Sequence, residues 1–308
     1  MKPTFYIIGA PKCGTTSWAA YLAQHPDVQI SDPKELNYFS TDLRTANNII
    51  VGSDTEYEAK FDRPETVPAA GEATPLYLYS TEAIPRIAEY TPDAKIVILL
   101  RKAAPFFRSL HQQFLYRRIE NETDPRKAWE GSGTRQPHGN ADRAALERHL
   151  DYKALGDFNS QVARVLEHFP PEQVFITWME DWKNDPNWLY RELATFLGID
   201  GSHPLTFEVH NRAKRHRNAI LSRMTIRPPA WVMALSRGLK RLLGRERLGI
   251  AAKLREMNTT YDVAEKLPTD LEAEINEFYR DSYEALDSRS AAFGILRRPS
   301  YANENRGA

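Results

Sequence analysis

The apolar run Phe5-Tyr-Ile-Ile-Gly9 breaks off at a glycine, and the loop beyond it constrains the fold more than any other part of the chain. That loop, Ala10-Pro-Lys-Cys-Gly14, carries a second glycine, and Thr15, Thr16 and Ser17 then open a helical pattern. A buried strand that turns on glycine into a helix N-terminus gathers backbone N–H groups and the positive end of the helix dipole at one point. Three hydroxyls and the Lys12 ammonium add donors there. The stretch therefore reads as an anion cradle built from Lys12, Cys13, Gly14, Thr15, Thr16 and Ser17, sized for a phosphate or a group of that shape. The plainer alternative is a glycine turn between strand and helix.

The placement of charge within the loop narrows the reading. A Walker A loop reads G-x-x-x-x-G-K-[ST]. Gly9 and Gly14 keep that spacing, but Thr15 stands where the lysine belongs and Lys12 lies inside the loop. A second buried strand, Ala94-Lys-Ile-Val-Ile-Leu-Leu100, ends in Arg101 instead of the aspartate that would hold magnesium. Arginine binds another anion. Ser109 follows about two helical turns into the next helix if that helix starts near Ala103. An arginine fork with a serine hydroxyl suits a phosphate monoester; a structural ion pair and an exposed serine would look the same. The combined expectation is a nucleotide with two anionic ends and no bound metal.

Short apolar runs alternate with amphipathic stretches, which predicts an α/β protein: a P-loop NTPase-like three-layer fold with a central, mainly parallel sheet flanked by helices. Strands are expected at 4–9, 95–100 and 173–178, with shorter ones near 28–30 and 69–73. Helices are expected at 15–24, 80–90, 103–118, 154–168, 186–197, 230–243 and 269–288. The chain of 308 residues reads as a single domain with a polar insertion near 120–142 and a helical C-terminal part from about 228. Lys plus Arg equals Asp plus Glu at 41 each, which argues against a general nucleic-acid binder. The one cysteine, Cys13, allows no intrachain disulfide and fits a reducing compartment. No apolar run reaches the length of a membrane span, and the first core strand begins where a signal peptide would lie. A cytoplasmic enzyme is the expectation.

Pro11-Lys-Cys-Gly-Thr-Thr16 resembles the 5′-phosphosulfate loop of sulfotransferases, enzymes that use 3′-phosphoadenosine 5′-phosphosulfate (PAPS) as sulfuryl donor. Arg101 with Ser109 matches the spacing of their 3′-phosphate motif. The order Gly9-Ala-Pro-Lys-Cys-Gly-Thr-Thr, His25-Pro-Asp and Pro33-Lys-Glu-Leu-Asn-Tyr-Phe39 is similar to the heparan-sulfate and bacterial branch. The similarity continues through Gly71-Glu-Ala-Thr-Pro-Leu-Tyr77 and Met179-Glu-Asp-Trp-Lys-Asn-Asp-Pro186. Trp18 departs from the pattern, one place beyond the adenine-stacking tryptophan of cytosolic sulfotransferases.

The resemblance implies sulfuryl transfer without a metal, with Lys12 and the loop N–H groups facing the charge that develops on the leaving phosphate. It places a catalytic base at Glu35, with Lys34 beside it to orient the acceptor or share the sulfuryl charge. A carboxylate near anions and partly desolvated suits that task, whereas a Lys-Glu pair in a solvated loop would be inert. Glu72 and His111 are the other candidates. Glu72 would position Lys34 or face the acceptor; His111 points to another helix face from Ser109 and reads as structural or adenosine-proximal. The basic run His210-Asn-Arg-Ala-Lys-Arg-His-Arg-Asn218 offers Arg212, Lys214, Arg215 and Arg217 for a loop closing on the 3′-phosphate, or for a solvated or acidic-acceptor surface. Residues 228–247 form a basic amphipathic stretch that packs on its own domain or touches a membrane surface. The acceptor is unidentified: a glycan, a lipid or a small metabolite. The competing expectations are a P-loop kinase or other NTP-using enzyme, and a catalytically idle nucleotide-binding protein.

Overall fold

Five short strands pair side by side in one parallel sheet of the computed structural model, which describes residues 1–45, 50–61, 67–134, 148–208, 214–216, 258–261 and 266–298. The strands are β1 (Phe5–Gly9), β2 (Val28–Ile30), β3 (Ala69–Glu72), β4 (Lys95–Leu100) and β5 (Val174–Trp178). Their order is β2-β3-β1-β4-β5, and every neighbouring pair is parallel. β1 and β5 are buried along their whole length, as apolar strands are when helices cover both faces of a sheet. The chain leaves β1, runs outward to β2, returns through β3, and then crosses to the far side of β1 as β4. The direction of winding reverses at β1, so a crevice opens beyond its carboxyl end.

The helices follow from caps and apolar faces. They are α1 (Thr15–Leu22), α2 (Asp54–Glu58), α3 (Ala83–Tyr90), α4 (Ala103–Arg117), α5 (Pro125–Glu130), α6 (Tyr152–Leu155), α7 (Phe158–Leu166), α8 (Met179–Trp182), α9 (Pro186–Leu197) and α10 (Thr269–Ala292). Asp124, Asp157 and Asp185 each accept a backbone N–H of the turn they open, from Arg126, Ser160 and Trp188. α10 packs across α4 and α7. Residues 295–297 then run beside β5: Ile176 N donates to Ile295 O and Arg297 N to Ile176 O, both at 2.8 Å. That segment covers what would be an open sheet edge. Strands β6 (Lys214–His216) and β7 (Thr259–Tyr261) form a separate antiparallel pair. It lies against α4, where Tyr116 OH and Thr259 Oγ1 are 3.0 Å apart.

The expected strands and the parallel sheet agree with this architecture, and several boundaries shift. The helix expected from 80 starts at Ala83, because Ser80 Oγ accepts the N–H groups of Glu82 and Ala83. The helix expected over 154–168 is two pieces, with Asp157 capping the second. A side chain at Gly156 between them would meet Tyr279 OH at 2.5 Å. In the 120–142 stretch, expected as a loop or insertion, residues 125–130 are helical and Trp129 is buried. Its part beyond 134, the helix expected at 230–243, and the basic stretch 228–247 lie outside the described residues.

Gly71 makes a direct prediction about this core. A Cβ built there falls 2.1 Å from Phe5 Cζ, in the middle of the β1–β3 pair. Gly71→Ala should cost roughly 1–3 kcal/mol or more, as overpacking does. The measurement is the urea midpoint, which should fall with the slope unchanged.

Candidate active site

The loop after β1 is shaped by two residues in the left-handed region, Lys12 (φ 65) and Gly14 (φ 90). At Gly14 the requirement is double, because a Cβ would also sit 2.8 Å from Trp182 Cη2. Trp182, at the end of α8, floors the loop and meets Trp18 edge-on at 5.4 Å. Trp18 is fully buried there, against Tyr21 and Phe207 as well, so it belongs to the core of this corner. Helix geometry leaves the N–H groups of Thr15, Thr16 and Ser17 without intrahelical acceptors. Cys13 turns inward: its N–H reaches Ala10 O at 3.3 Å and its Sγ lies 3.4 Å from Pro11 O. Burial pushes its thiol far up, so no thiolate forms.

A second cluster of cations adjoins the loop. Arg101, just beyond the end of β4, donates through Nη1 to Lys12 O at 3.2 Å. Its Nε and that of Arg108 are both enclosed without an acceptor among the described residues. Burial holds the Arg101 guanidinium below its usual range; Arg108 adds to the effect, and Glu180 opposes it. Glu180 also accepts the Lys102 N–H at 3.2 Å. Lys12 Nζ reaches Gln113 Oε1 at 3.4 Å. Gln113 is one helical turn beyond Ser109 on the same side of α4. Loop, Arg101, Arg108 and Ser109 therefore meet in one place at the carboxyl edge of the sheet.

The Lys34-Glu35 pair comes to that edge by a different route. The loop after β2 crosses the end of β3, where Ala73 N donates to Lys34 O at 3.4 Å. That leaves Lys34 in line with β2, beside the end of β3 and about two strand spacings, roughly 10 Å, from β1. Lys34 Nζ lies 2.8 Å from Glu35 Oε1, as an ion pair off the line of a hydrogen bond. Glu35 is partly open to solvent, with 42% of its side chain exposed, so its carboxylate is reachable.

Glu72 and His111 have other work. Glu72 is completely buried and accepts from Leu36 N, Thr74 Oγ1, Tyr77 OH and Tyr57 OH. It does not face an acceptor; this corrects the expectation that left it as a possible base. Burial raises its pKa, and the four donors pull it back. His111 is buried, stacked on Phe107 at 5.7 Å, and joined through Nε2 to Glu122 O at 2.8 Å. Arg212 and Arg217 lie outside the described residues; Lys214 and Arg215 fall on β6, beside α4. Gln113 and Tyr57 carry no sequence signal of their own, and Thr74 and Tyr77 stand in the 71–77 motif with nothing in their spacing to tie them to Glu72. Trp182 lies within the 179–186 motif, but its spacing gives no sign that it reaches the loop.

Among the described residues, no group of His, Cys, Asp and Glu side chains gathers that could hold a metal ion. Nor is any helix there long and apolar enough to cross a membrane.

The family model of the sulfotransferase domain matches residues 2–221. A human bifunctional heparan sulfate N-deacetylase/N-sulfotransferase 3 is 28% identical over 214 residues, covering 68% of this chain and 24% of that protein. A membrane-associated sulfotransferase of Dictyostelium discoideum is 36% identical over 114 residues, covering 36% of this chain and 22% of that protein. The chain thus spans about a quarter of the length of these curated relatives. A solved sulfotransferase from Alicyclobacillus acidocaldarius aligns over 80% of this chain and 98% of its own, with 27% identity and a TM-score of 0.59.

The placement of His111 makes it a packing residue, and that can be measured. His111→Leu should lower stability by roughly 1–3 kcal/mol, since Glu122 O loses its donor. Turnover should stay at the parent level. A collapse of turnover in a folded variant would return His111 to the reaction.

Proposed function

The chain belongs to the sulfotransferase domain family, and we propose that it moves a sulfuryl group from PAPS to a hydroxyl or amine of its acceptor, with Glu35 as general base. The observation that carries this reading is the hydrogen bond from Arg101 to the Lys12 carbonyl. It joins a loop suited to one anion to an arginine suited to another, as a nucleotide with two anionic ends requires. The residues fit such a ligand: the enclosed Nε atoms of Arg101 and Arg108 have no acceptor among the described residues.

PAPS supplies an activated sulfuryl group on a phosphate leaving group. Lys12 and the N–H groups of Gly14 to Ser17 sit where negative charge grows on that phosphate and stabilise it without reorganising. Arg101, Arg108 and Ser109 hold the 3′-phosphate. Glu35 takes the proton that the acceptor oxygen or nitrogen loses as it bonds to sulfur. Lys34 keeps the Glu35 carboxylate oriented until the acceptor arrives. The transfer needs no metal, because a sulfuryl group carries less charge than a phosphoryl group. The acceptor is a glycan, a lipid or a small metabolite, and the setting is cytoplasmic.

Two measurements test the reading. Charge-assisted hydrogen bonds contribute about 1.5–3 kcal/mol each. Two of them at the 3′-phosphate should make 3′-phosphoadenosine 5′-phosphate bind at least about 100-fold tighter than ADP-Mg²⁺. Equal affinity would instead favour an NTP-using enzyme. Glu35→Gln should keep that nucleotide affinity and lose about 10²–10⁴ in kcat for sulfate transfer. Tight binding with no transfer to any alcohol, phenol, amine or glycan would point to an idle binding protein.

A further inference from the structure

The loop that carries Lys34 and Glu35 has no regular secondary structure from Ser31 to Ser40, yet Leu36 to Ser40 are buried. Buried backbone must find partners, and here the partners are side chains. On the N–H side, Leu36 N donates to Glu72 Oε1 at 3.3 Å and Asn37 N to Thr74 Oγ1 at 3.4 Å. Tyr38 N and Phe39 N both donate to the Tyr77 hydroxyl, at 2.8 and 3.3 Å. On the carbonyl side, Arg44 donates to Asn37 O and Tyr38 O, and Arg86 to Phe39 O.

The direction of the hydroxyl bonds is fixed by this arrangement. A backbone N–H can only donate, so the oxygens of Thr74 and Tyr77 accept from the loop. Their own hydrogens are then left to point at Glu72 Oε1, at 2.6 and 2.7 Å. One carboxylate oxygen thus terminates three chains: one directly from Leu36, one through Thr74 and one through Tyr77. Tyr57 OH holds the other oxygen. Glu72 ends β3, and the Thr74–Tyr77 turn is joined to β1 through Leu78 N and Ile8 O at 2.8 Å. The anchor is therefore fixed to β3 and, through Leu78, to β1, the strand that carries the anion loop.

From this geometry we infer that Glu72, acting through Thr74 and Tyr77, is the positioning group of the Glu35 loop. It sets where the base stands relative to the anion cradle, and it touches neither nucleotide nor acceptor. The inference rests on Glu35 being the base. It assigns Glu72 a catalytic consequence that burial alone would not give.

The test is a set of double-mutant cycles on the full chain. Tyr77→Phe and Thr74→Val each remove one relay hydroxyl with little change in shape. Each should lower kcat by about 10- to 100-fold, the scale of a small misplacement of a reacting group. Affinity for 3′-phosphoadenosine 5′-phosphate should stay at the parent level, which also certifies the fold. In a Glu35→Gln background, neither change should lower kcat further, because there is no base left to misplace. Glu72→Leu, which strands both hydroxyl hydrogens, should behave likewise; if it does not fold, the two relay variants carry the test.

Parent-level kcat in Tyr77→Phe and Thr74→Val, or losses that multiply with Glu35→Gln, would overturn the positioning role. Parent-level kcat in Glu35→Gln alone would overturn the base assignment itself, so the two failures are separable.

Discussion

The seating of β1 between β3 and β4 governs everything at the carboxyl edge. Gly9 ends that strand, and its missing side chain matters: a Cβ there would lie 2.5 Å from Leu78 Cβ. Leu78 approaches so closely because its N–H bonds to Ile8 O. The approach brings the Pro75–Tyr77 turn against the end of β1. Tyr77 OH in turn holds the backbone of residues 38 and 39. One glycine thus connects the anion loop, which begins where β1 stops, to the loop carrying Lys34 and Glu35. On the other flank, Ala10 N bonds to Leu99 O at 2.6 Å, which ties the same point to the strand that delivers Arg101.

Charge at this edge is arranged against local stability. The chain is neutral as a whole, yet Arg108 stands close enough to Arg101 to disfavour its charge, and the buried Nε of each lacks an acceptor among the described residues. An unpaired buried donor costs on the order of 1–3 kcal/mol. Proteins tolerate such groups mainly at functional sites. The Glu72 cluster shows the opposite arrangement. Both oxygens of its buried carboxylate have partners, and the charge is tolerable because hydroxyl and amide donors surround it. The first cluster leaves donors without acceptors among the described residues; the second has both carboxylate oxygens matched.

Much of this is legible in sequence where the signal is local. The Gly9 and Gly14 spacing, the apolar strand ending in Arg101, and the alternation of strands and helices all survive in the structure. The features that escape depend on contacts between distant segments. Glu72 looks like a candidate base because nothing local shows that hydroxyls from residues 57, 74 and 77 converge on it. Trp182 gives no hint that its ring floors a loop some 170 positions earlier in sequence. The 125–130 helix does have a local signal. Asp124 followed by Pro125 is an N-cap with proline in the first turn, and the glycines beyond it mask that signal.

The helix α4 holds the loop after β1 and the arginines after β4 in a fixed relation to each other. Its start is fixed to β4 and held by Ala104 N to Asn276 Oδ1 of α10 at 3.3 Å. Its side chains Phe106, Phe107, His111 and Phe114 are buried. A helix anchored on that side cannot slide or turn without breaking the core. A half-buried flank of the same helix presents Ser109 and, one turn on, the Gln113 that receives Lys12. The spacing between the loop after β1 and the arginines after β4 is therefore set by packing, not by the ligand. Under the proposed function, that rigidity is what distinguishes a nucleotide carrying a 3′-phosphate from one that lacks it. The discrimination would be lost if α4 were free to adjust, since a mobile arginine pair would close equally well on any nearby anion.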